Sequence, residues 1–242
     1  MVREQPALPV VRPTAAEQGS GRRTASGRGR WELQLVAGPA LSHRRQATSD
    51  TLPAGVTSTE RAAVGYMAQA TLRYRLRARL ALAVGAGYTQ YASTVAVAVR
   101  TTTTPSPRDT TRVTTVQQFS NRDIYRYLTL PLQLQYFLPS RGRIGLGVLG
   151  GITLGLYDGG QTTGGGTCAC QQQAWTASNS PFRRLDLSLT AGLDARYYLT
   201  PQWALTAQPT LRYSLLSINS SPAPARYPLA AGLLLGFTYR LP

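Results

Sequence analysis

The 242-residue chain contains no lysine, so all 26 of its basic residues are arginine. It has one histidine, two cysteines and ten acidic residues, which leaves a formal net charge of +16. Without lysine, the chain cannot form a phosphate-binding loop of the Gly-x-x-x-x-Gly-Lys type. Two cysteines are too few for a disulfide framework. Charged residues make up only 15% of the chain, and this composition excludes a coiled coil or a helical bundle rich in Glu and Lys.

The chain also lacks a run of residues suited to a membrane-spanning helix. The longest stretch without charge, residues 80–99, has about the required length, but it contains Gly85, Gly87 and several polar residues. Residues 1–30 hold six arginines and no apolar run of secretory-signal length. We predict that residues 1–30 are a disordered Arg/Pro/Gly-rich linker before one domain, residues 31–242. An arm that binds nucleic acid is the alternative for this linker, but it lacks aromatic residues.

Alternation of apolar and polar residues with a period of two runs through most of the chain. In residues 123–138, for example, Leu128, Leu130, Leu132 and Leu134 alternate with polar residues. This period is typical of β-strands with two different faces. The eight alternating segments are 31–38, 66–76, 77–91, 123–138, 143–157, 184–199, 203–217 and 227–241.

Short connections alternate with long ones along the chain. The short joints are at residues 76–77, 138–143 and 199–202, and the longer joints are at 40–61, 92–122, 158–183 and 218–226. Outer-membrane barrels have short turns on one rim and long loops on the other. We therefore predict an all-β fold: an eight-stranded antiparallel up-and-down transmembrane β-barrel. Its short turns and both termini would be periplasmic, and its long loops extracellular.

Aromatic residues of the apolar face lie near the ends of the segments. Bilayer interfaces select such rings because an aromatic side chain can be half in water there. We therefore expect the apolar face to point outward, toward lipid, whereas a soluble lipocalin-like basic barrel would turn it inward. The predicted aromatic girdles are Trp31, Tyr74, Tyr136, Tyr197, Trp203, Phe237 and Tyr239 at the short-turn rim, and Tyr66, Tyr88, Tyr213 and Tyr227 toward the other rim.

The opposite face carries Gly, Thr, Gln and charged residues, which suit a narrow lumen. An eight-stranded barrel is just wide enough for interior side chains to fill it, which argues against a general porin. Because unpaired charges in a water-poor interior are costly, we predict that the lumen charges form a buried ion network. Its predicted members are Glu32, Arg73, Arg75, Arg79, Asp186, Asp194, Arg196, Arg212 and Arg240.

Three stretches resemble the outer-membrane β-barrel domain family of Bacteroidota, the PorT-like group. They are WELQLVAGPALSHR (31–44), YRYLTLPLQLQYFL (125–138) and LSLTAGLDARYYLTPQWAL (187–205). In that family a strand with Ile/Leu-Pro-Leu precedes a closing turn, as Leu130-Pro131-Leu132 does here. A Gly-rich strand and a strand ending in Tyr-Tyr-Leu-Thr-Pro follow in the same order. The resemblance covers residues 31–241 and implies an integral outer-membrane barrel of a Gram-negative bacterium, with no catalytic residues to carry over.

Few residues carry candidate chemistry. His43, beside Ser42, is the plausible base of a barrel enzyme that acts on lipid. No Ser or Asp partner can be assigned to it by spacing, so we predict that the protein is not an enzyme and has no cofactor or metal site. Cys168 and Cys170, one residue apart, lack a second pair of ligands and are expected to be idle thiols or a local disulfide.

The excess of arginine calls for anionic partners. Nucleic acid is not predicted, because the arginines are scattered over linker, lumen and rims rather than gathered on one helix. Guanidinium pairs with phosphate through two hydrogen bonds, so we expect lipopolysaccharide at the long-loop rim and phospholipid headgroups near Arg141 and Arg143. The long-loop rim arginines are Arg44, Arg45, Arg61, Arg122, Arg183, Arg184 and Arg226.

The sequence therefore predicts an integral outer-membrane protein with a structural role or a recognition role carried by its long loops. Its expected partners are outer-membrane lipid, the barrel-assembly machinery and an unidentified protein or ligand at the loops. Two alternatives stay open at this point. One is a barrel enzyme acting on lipid through His43, and the other is a soluble basic barrel.

Overall fold

The computed structural model describes residues 29–46, 56–103, 113–139, 142–165, 172–176, 179–180, 182–218 and 226–242. The predicted linker therefore lies outside the described residues except for Gly29 and Arg30. The strands are β1 (Trp31–Gln46), β2 (Val56–Arg75), β3 (Leu80–Thr103), β4 (Val113–Phe137), β5 (Ile144–Gly165), β6 (Gln172–Trp175), β7 (Leu185–Tyr198), β8 (Trp203–Ser214) and β9 (Arg226–Arg240). Within these ranges, no helix has the length and hydropathy needed to cross a bilayer.

Eight of the strands form a closed ring. Their order is β4-β3-β2-β1-β9-β8-β7-β5, and β4 also pairs with β5. Each of these pairings is antiparallel. The four-residue β6 pairs with β5 outside the ring. The predicted eight-stranded antiparallel barrel is confirmed.

The apolar face of the barrel points outward. On β4, Leu128, Leu130 and Leu132 are 51%, 50% and 43% exposed, whereas Gln133 and Gln135 are buried. The same alternation on the other barrel strands produces a continuous belt of exposed leucine, valine and aromatic side chains. A soluble protein does not leave so large an apolar surface in water, and a bilayer covers it. The soluble lipocalin-like alternative is therefore wrong.

Several strands extend beyond this belt into segments that the sequence pattern assigned to loops. β3 continues to Thr103 and pairs with β4 as far as Val113, within the predicted joint 92–122. β1 and β2 likewise extend into the joint 40–61, and β5 extends into 158–183. These extensions are rich in Thr and Val, which favour strands. Loss of the apolar face marks the exit from the membrane and not the end of the strand.

Three prolines interrupt the ladders of hydrogen bonds. Proline has no N–H to donate, so it breaks pairing on one side of its strand. Each proline stays in register with its other neighbour: Pro39 with Tyr66, Pro131 with Thr153 and Pro209 with Leu233. The interrupted ladders are β1–β9 beside Pro39, β3–β4 beside Pro131 and β7–β8 beside Pro209.

The two ends of the barrel differ. We call the end with the short connections 76–79, 138–143 and 199–202 the turn end, and the opposite end the loop end. At the turn end, two aromatic pairs stand beside each other on neighbouring strands, with ring centroids 4.7 Å apart in Trp31–Tyr74 and in Trp203–Tyr239. At the loop end, Tyr66 is 60% exposed. The other rings proposed for that girdle, those of Tyr88, Tyr213 and Tyr227, are half-buried.

Candidate functional site

Six charged residues meet inside the turn end of the lumen. This turn-end ion cluster consists of Glu32, Arg73, Arg75, Asp194, Arg196 and Arg240. Oε2 of Glu32 lies 2.9 Å from Nη1 of Arg73 and 2.9 Å from Nη1 of Arg196. Its other oxygen, Oε1, lies 2.6 Å from Nη2 of Arg75 and 3.4 Å from Nε of Arg240. One carboxylate therefore contacts four guanidinium groups.

The second carboxylate of the cluster is that of Asp194. Its Oδ2 lies 2.6 Å from Nη2 of Arg196 and 3.2 Å from Nη2 of Arg73. Asp194 and Arg196 are two residues apart on β7, so both side chains face the lumen. The ring of Phe137 lies beside the cluster, with its centroid 4.5 Å from Cζ of Arg196. Two carboxylates, four guanidiniums and one aromatic ring close the lumen at this end.

Strand register brings part of this cluster together. Glu32 on β1 is directly opposite Arg73 on β2 and Arg240 on β9. Directly opposed residues of neighbouring strands have adjacent side chains on the same face. Arg196, in contrast, reaches Glu32 from β7, which is separated from β1 by β8 and β9. That contact crosses the lumen, and register alone does not predict it.

Three of the nine residues predicted for the lumen ion network lie outside the turn-end ion cluster. Arg79 is exposed in the turn before β3, which begins at Leu80, so its assignment to the lumen is wrong. The error arose because the alternation was extended through a turn, where side chains no longer alternate between faces. Asp186 and Arg212 do face the lumen, but nearer the loop end. There Asp186 accepts a hydrogen bond from Ser214, and Arg212 donates to Thr89, at 2.6 and 2.7 Å.

Uncharged polar side chains fill the middle of the lumen. Gln133, Gln135 and Gln208 are at most 1% exposed. Hydroxyl groups pair across neighbouring strands, Thr206 with Thr238 at 2.8 Å for example. Both amide atoms of Gln133 and of Gln135 are buried without a hydrogen-bond partner among the described residues. The middle of the barrel is therefore polar but occupied by side chains.

A cluster of aromatic rings closes the loop end of the lumen. This aromatic cluster consists of Tyr91, Tyr125, Tyr127, Tyr157 and Phe182, whose neighbouring ring centroids are 5.3 to 6.0 Å apart. The four tyrosines are buried. The sequence analysis did not predict this cluster, although the four tyrosines occupy positions of the polar face in the alternation and could have indicated it.

A second ion cluster lies beyond the aromatic cluster. The buried side chain of Arg44 contacts Glu60 and, at 2.9 Å, Oδ2 of Asp123. Thr162 donates to Oδ1 of Asp123 at 3.0 Å, and the indole of Trp175 donates to Thr162 at 3.1 Å. Sequence reasoning missed this cluster because it ended the first segment at residue 38 and began the second at residue 66, which left Arg44 and Glu60 in the predicted joint 40–61.

The predicted rim arginines do not all face outward. Arg44 is 2% exposed and points into the lumen, so its assignment to a lipid-facing rim is wrong. Arg226 is half-buried, and the side chain of Arg45 lies outside the described residues, as does Arg141. The exposed rim arginines are Arg61, Arg122, Arg183 and Arg184 at the loop end and Arg143 at the turn end. Arg126, which was not predicted, is also exposed at the loop end.

The candidate histidine does not form a pair with its neighbouring serine. Ser42 and His43 are consecutive residues of β1 and therefore point to opposite faces. Ser42 is buried and accepts a hydrogen bond from the N–H of Ala92 at 2.9 Å, whereas His43 is exposed. Within the described ranges, no three His, Cys, Asp or Glu side chains are grouped as metal ligands. Cys168 and Cys170 lie outside those ranges.

A closed antiparallel barrel with an apolar outer belt, aromatic rings at its rims and a polar interior is the architecture of outer-membrane proteins. The protein is an integral outer-membrane β-barrel. The outward belt of apolar side chains therefore contacts membrane lipid. Its interior is polar, as in other barrels of this class, but it is closed by charged residues at one end and by aromatic rings at the other.

Several solved structures of outer-membrane proteins are similar to this barrel. The barrel is similar to Neisserial surface protein A, with a TM-score of 0.44, 14% identity and coverage of 89% of this chain and 99% of that one. It is also similar to outer membrane protein OprG of Pseudomonas aeruginosa, with a TM-score of 0.44, 13% identity and coverage of 89% of this chain and 98% of that one. For outer membrane protein AlkL in lipid bilayers, the TM-score is 0.37 and the identity 13%, with coverage of 100% of this chain and 98% of that one. No protein-family model and no curated protein sequence matches the chain.

Proposed function

We propose that this barrel has a structural role or a recognition role at its loop end, and that it is neither a general porin nor an enzyme. The observation that carries this proposal is the filled lumen. The turn-end ion cluster, the glutamine and threonine side chains and the aromatic cluster occupy it in succession. In a barrel whose lumen is filled, ligands and partner proteins bind at the rims and loops rather than in a channel.

The loop end presents a surface suited to phosphorylated lipid. The outward row of β4 continues upward from Leu128 to the exposed Arg126, the half-buried Ile124 and the exposed Arg122. On β3, Thr94 is in register with Arg122 and with Arg61 of β2. An apolar strip beneath guanidinium groups matches an acyl chain beneath a phosphate. These arginines support lipopolysaccharide as the partner of this rim.

The turn end is assigned to the periplasm in this proposal, together with both ends of the barrel domain. Short turns on the periplasmic side and longer segments outside are the rule in bacterial barrels. Assembly of such a barrel would involve the barrel-assembly machinery. We place the chain with the PorT-like barrels on the strength of Leu130-Pro131-Leu132 and the Tyr197–Pro201 pattern.

Electrical recording in a planar lipid bilayer tests the closed lumen. The purified full chain is expected to give no stable conductance steps under conditions in which a general porin does. An Asp158→Asn variant, which changes an exposed loop-end charge and leaves the lumen as it is, serves as the matched control. A large, stable conductance for the wild-type barrel would show that the lumen is an open pore.

Retention of lipopolysaccharide during purification tests the lipid surface. The double variant Arg122→Gln/Arg126→Gln is expected to lose most of the co-purifying lipopolysaccharide, because it removes both guanidiniums above the β4 strip. Arg77→Gln, at the turn end, is expected to retain the wild-type amount. Equal retention by all three proteins would contradict the proposed partner.

A further inference from the structure

The turn-end ion cluster contains more positive than negative charge. Its four guanidiniums and two carboxylates give a formal charge of +2. Arg73 and Arg196 each contact both Glu32 and Asp194. Arg75 and Arg240 contact only Glu32, and both contact the same oxygen, Oε1. The uncompensated charge therefore belongs to Arg75 and Arg240.

These two arginines also differ from the others in exposure. The side chains of Arg75 and Arg240 are 30% and 19% exposed, whereas those of Arg73 and Arg196 are at most 1% exposed. The excess charge is thus at the mouth of the lumen, where a ligand from outside the barrel can reach it. A charge that is partly desolvated and not neutralised attracts an anion more strongly than one in open water.

Hydrogen-bond donors without an acceptor in the described residues remain at this mouth. Nε of Arg75 is buried and has no partner among the described residues. The guanidinium of Arg240 bonds to Glu32 through Nε, which leaves its two Nη groups to other acceptors. Because Nη2 of Arg75 and Nε of Arg240 contact one oxygen, they are no more than 6.0 Å apart. A tetrahedral oxyanion can accept from two guanidiniums at such a separation, with one oxygen for each.

A recess adjoins the same arginine. It has a volume of about 640 Å³ and is lined by Arg240, Thr200, Gln202 and Trp203, together with Pro201, Leu241 and Pro242. Its wall combines a cation, polar side chains and an apolar ring. A recess of this composition accommodates the remainder of a ligand whose anionic group is held by the guanidiniums.

We infer that the turn-end mouth of the lumen is a binding site for an oxyanion of the phosphate class, with Arg75 and Arg240 as its charged donors. The anion neutralises the positive charge of the cluster that Glu32 and Asp194 do not neutralise. The site faces the opposite side of the membrane from the proposed recognition surface and does not depend on it. Its ligand is a free phosphate group or the phosphate of a lipid headgroup.

Thermal unfolding of the full chain in zwitterionic detergent tests this site with inorganic phosphate as the probe. Phosphate is expected to raise the melting temperature more than chloride does at equal ionic strength, because binding to the folded state alone stabilises it. Arg75→Gln and Arg240→Gln are each expected to weaken phosphate binding about tenfold or more, since each removes a charged donor. Arg77→Gln, an exposed arginine at the same end, is expected to bind like the wild type.

Glu32→Gln provides a test of opposite sign. It raises the formal charge of the cluster from +2 to +3, so the folded variant is expected to bind phosphate more tightly than the wild type. If this variant does not fold, the two arginine variants still decide the question. The inference is overturned if chloride stabilises as much as phosphate, or if Arg240→Gln binds phosphate like the wild type.

Bilayer discs separate the two sources of the phosphate group. In phosphatidylcholine discs, added phosphate is expected to raise the melting temperature as it does in detergent. If phosphatidylglycerol discs abolish this response, a headgroup already fills the site. If the response is equal in both discs, the ligand comes from the aqueous phase. Absence of any response both in a detergent without a phosphate group and in phosphatidylcholine discs would refute the site.

Discussion

Glu32 and Arg196 are 164 positions apart in the chain, yet their side chains meet at 2.9 Å. Glu32 belongs to β1 and Arg196 to β7, and these strands are separated around the ring by β8 and β9. Their contact therefore crosses the interior and ties two non-neighbouring walls of the barrel together. The same carboxylate also holds Arg73, which is itself fully buried.

Replacing Glu32 by alanine is expected to destabilise the barrel. Arg73 and Arg196 would remain buried with Asp194 as their shared carboxylate, and removal of one partner from a buried ion pair costs about 3–5 kcal/mol. The free energy of unfolding in urea, measured in lipid vesicles, checks this. Asp158→Ala, which removes an exposed carboxylate, should change it little. Equal stability of the two variants would mean that the network contributes nothing.

Two consecutive glycines of β5 provide a matched pair for testing how closely the strands approach. A Cβ atom at Gly151 would lie 2.1 Å from the carbonyl oxygen of Leu132, whereas one at Gly150 would meet nothing within 4 Å. Gly151→Ala is expected to lower the unfolding free energy by about 1–3 kcal/mol, because the backbone must shift. Gly150→Ala should be tolerated. The prediction fails if the two alanines behave alike.

Leu132 lies in the middle of the outward row of β4 and should respond strongly to charge. Leu132→Arg is expected to cost about 2–4 kcal/mol, as arginine does at the bilayer midplane of a barrel. Leu138→Arg, beyond the turn end of the same strand, should cost at most about 1 kcal/mol. Unfolding free energies in vesicles give both values. If Leu138→Arg proved the more harmful change, the position assigned to the belt would be incorrect.

Cysteine labelling of intact cells tests the orientation of the barrel. In a background with Cys168 and Cys170 replaced by serine, we expect a membrane-impermeant maleimide to label Arg122→Cys, since Arg122 is exposed at the loop end. Arg143→Cys, exposed at the turn end, should react only after the cells are opened. The reverse pattern would place the turn end outside the cell.

His43→Ala is expected to leave the protein without a measurable change in any lipid-directed activity. His43 and Ser42 face opposite sides of β1, so they cannot act together as base and nucleophile. Release of fatty acid from a panel of phospholipids, measured for both proteins against empty vesicles, checks this expectation. Hydrolysis by the wild type that disappears in the variant would establish an enzyme.

Part of the candidate site could be predicted from the alternation alone. Glu32, Arg73 and Arg240 share the inward register of strands that are neighbours in the ring, so their proximity follows once the eight segments are recognised. Arg79 could not be placed in this way, because alternation ends at a turn. Arg44 and Glu60 were misplaced for a different reason, since strands that leave the membrane lose the apolar face by which the pattern detects them.

By itself, the sequence determined which side chains of each barrel segment share a face, and the structure showed that the leucine-rich face points outward. A period of two allows only two assignments for each strand, and the leucine-rich face requires an apolar surrounding. Only the tertiary structure decided which charges meet. The tilt and closure of the ring bring Arg196 opposite Glu32 and leave Arg75 and Arg240 sharing one oxygen. Those distances depend on how far each strand is offset around the barrel, which no local pattern encodes.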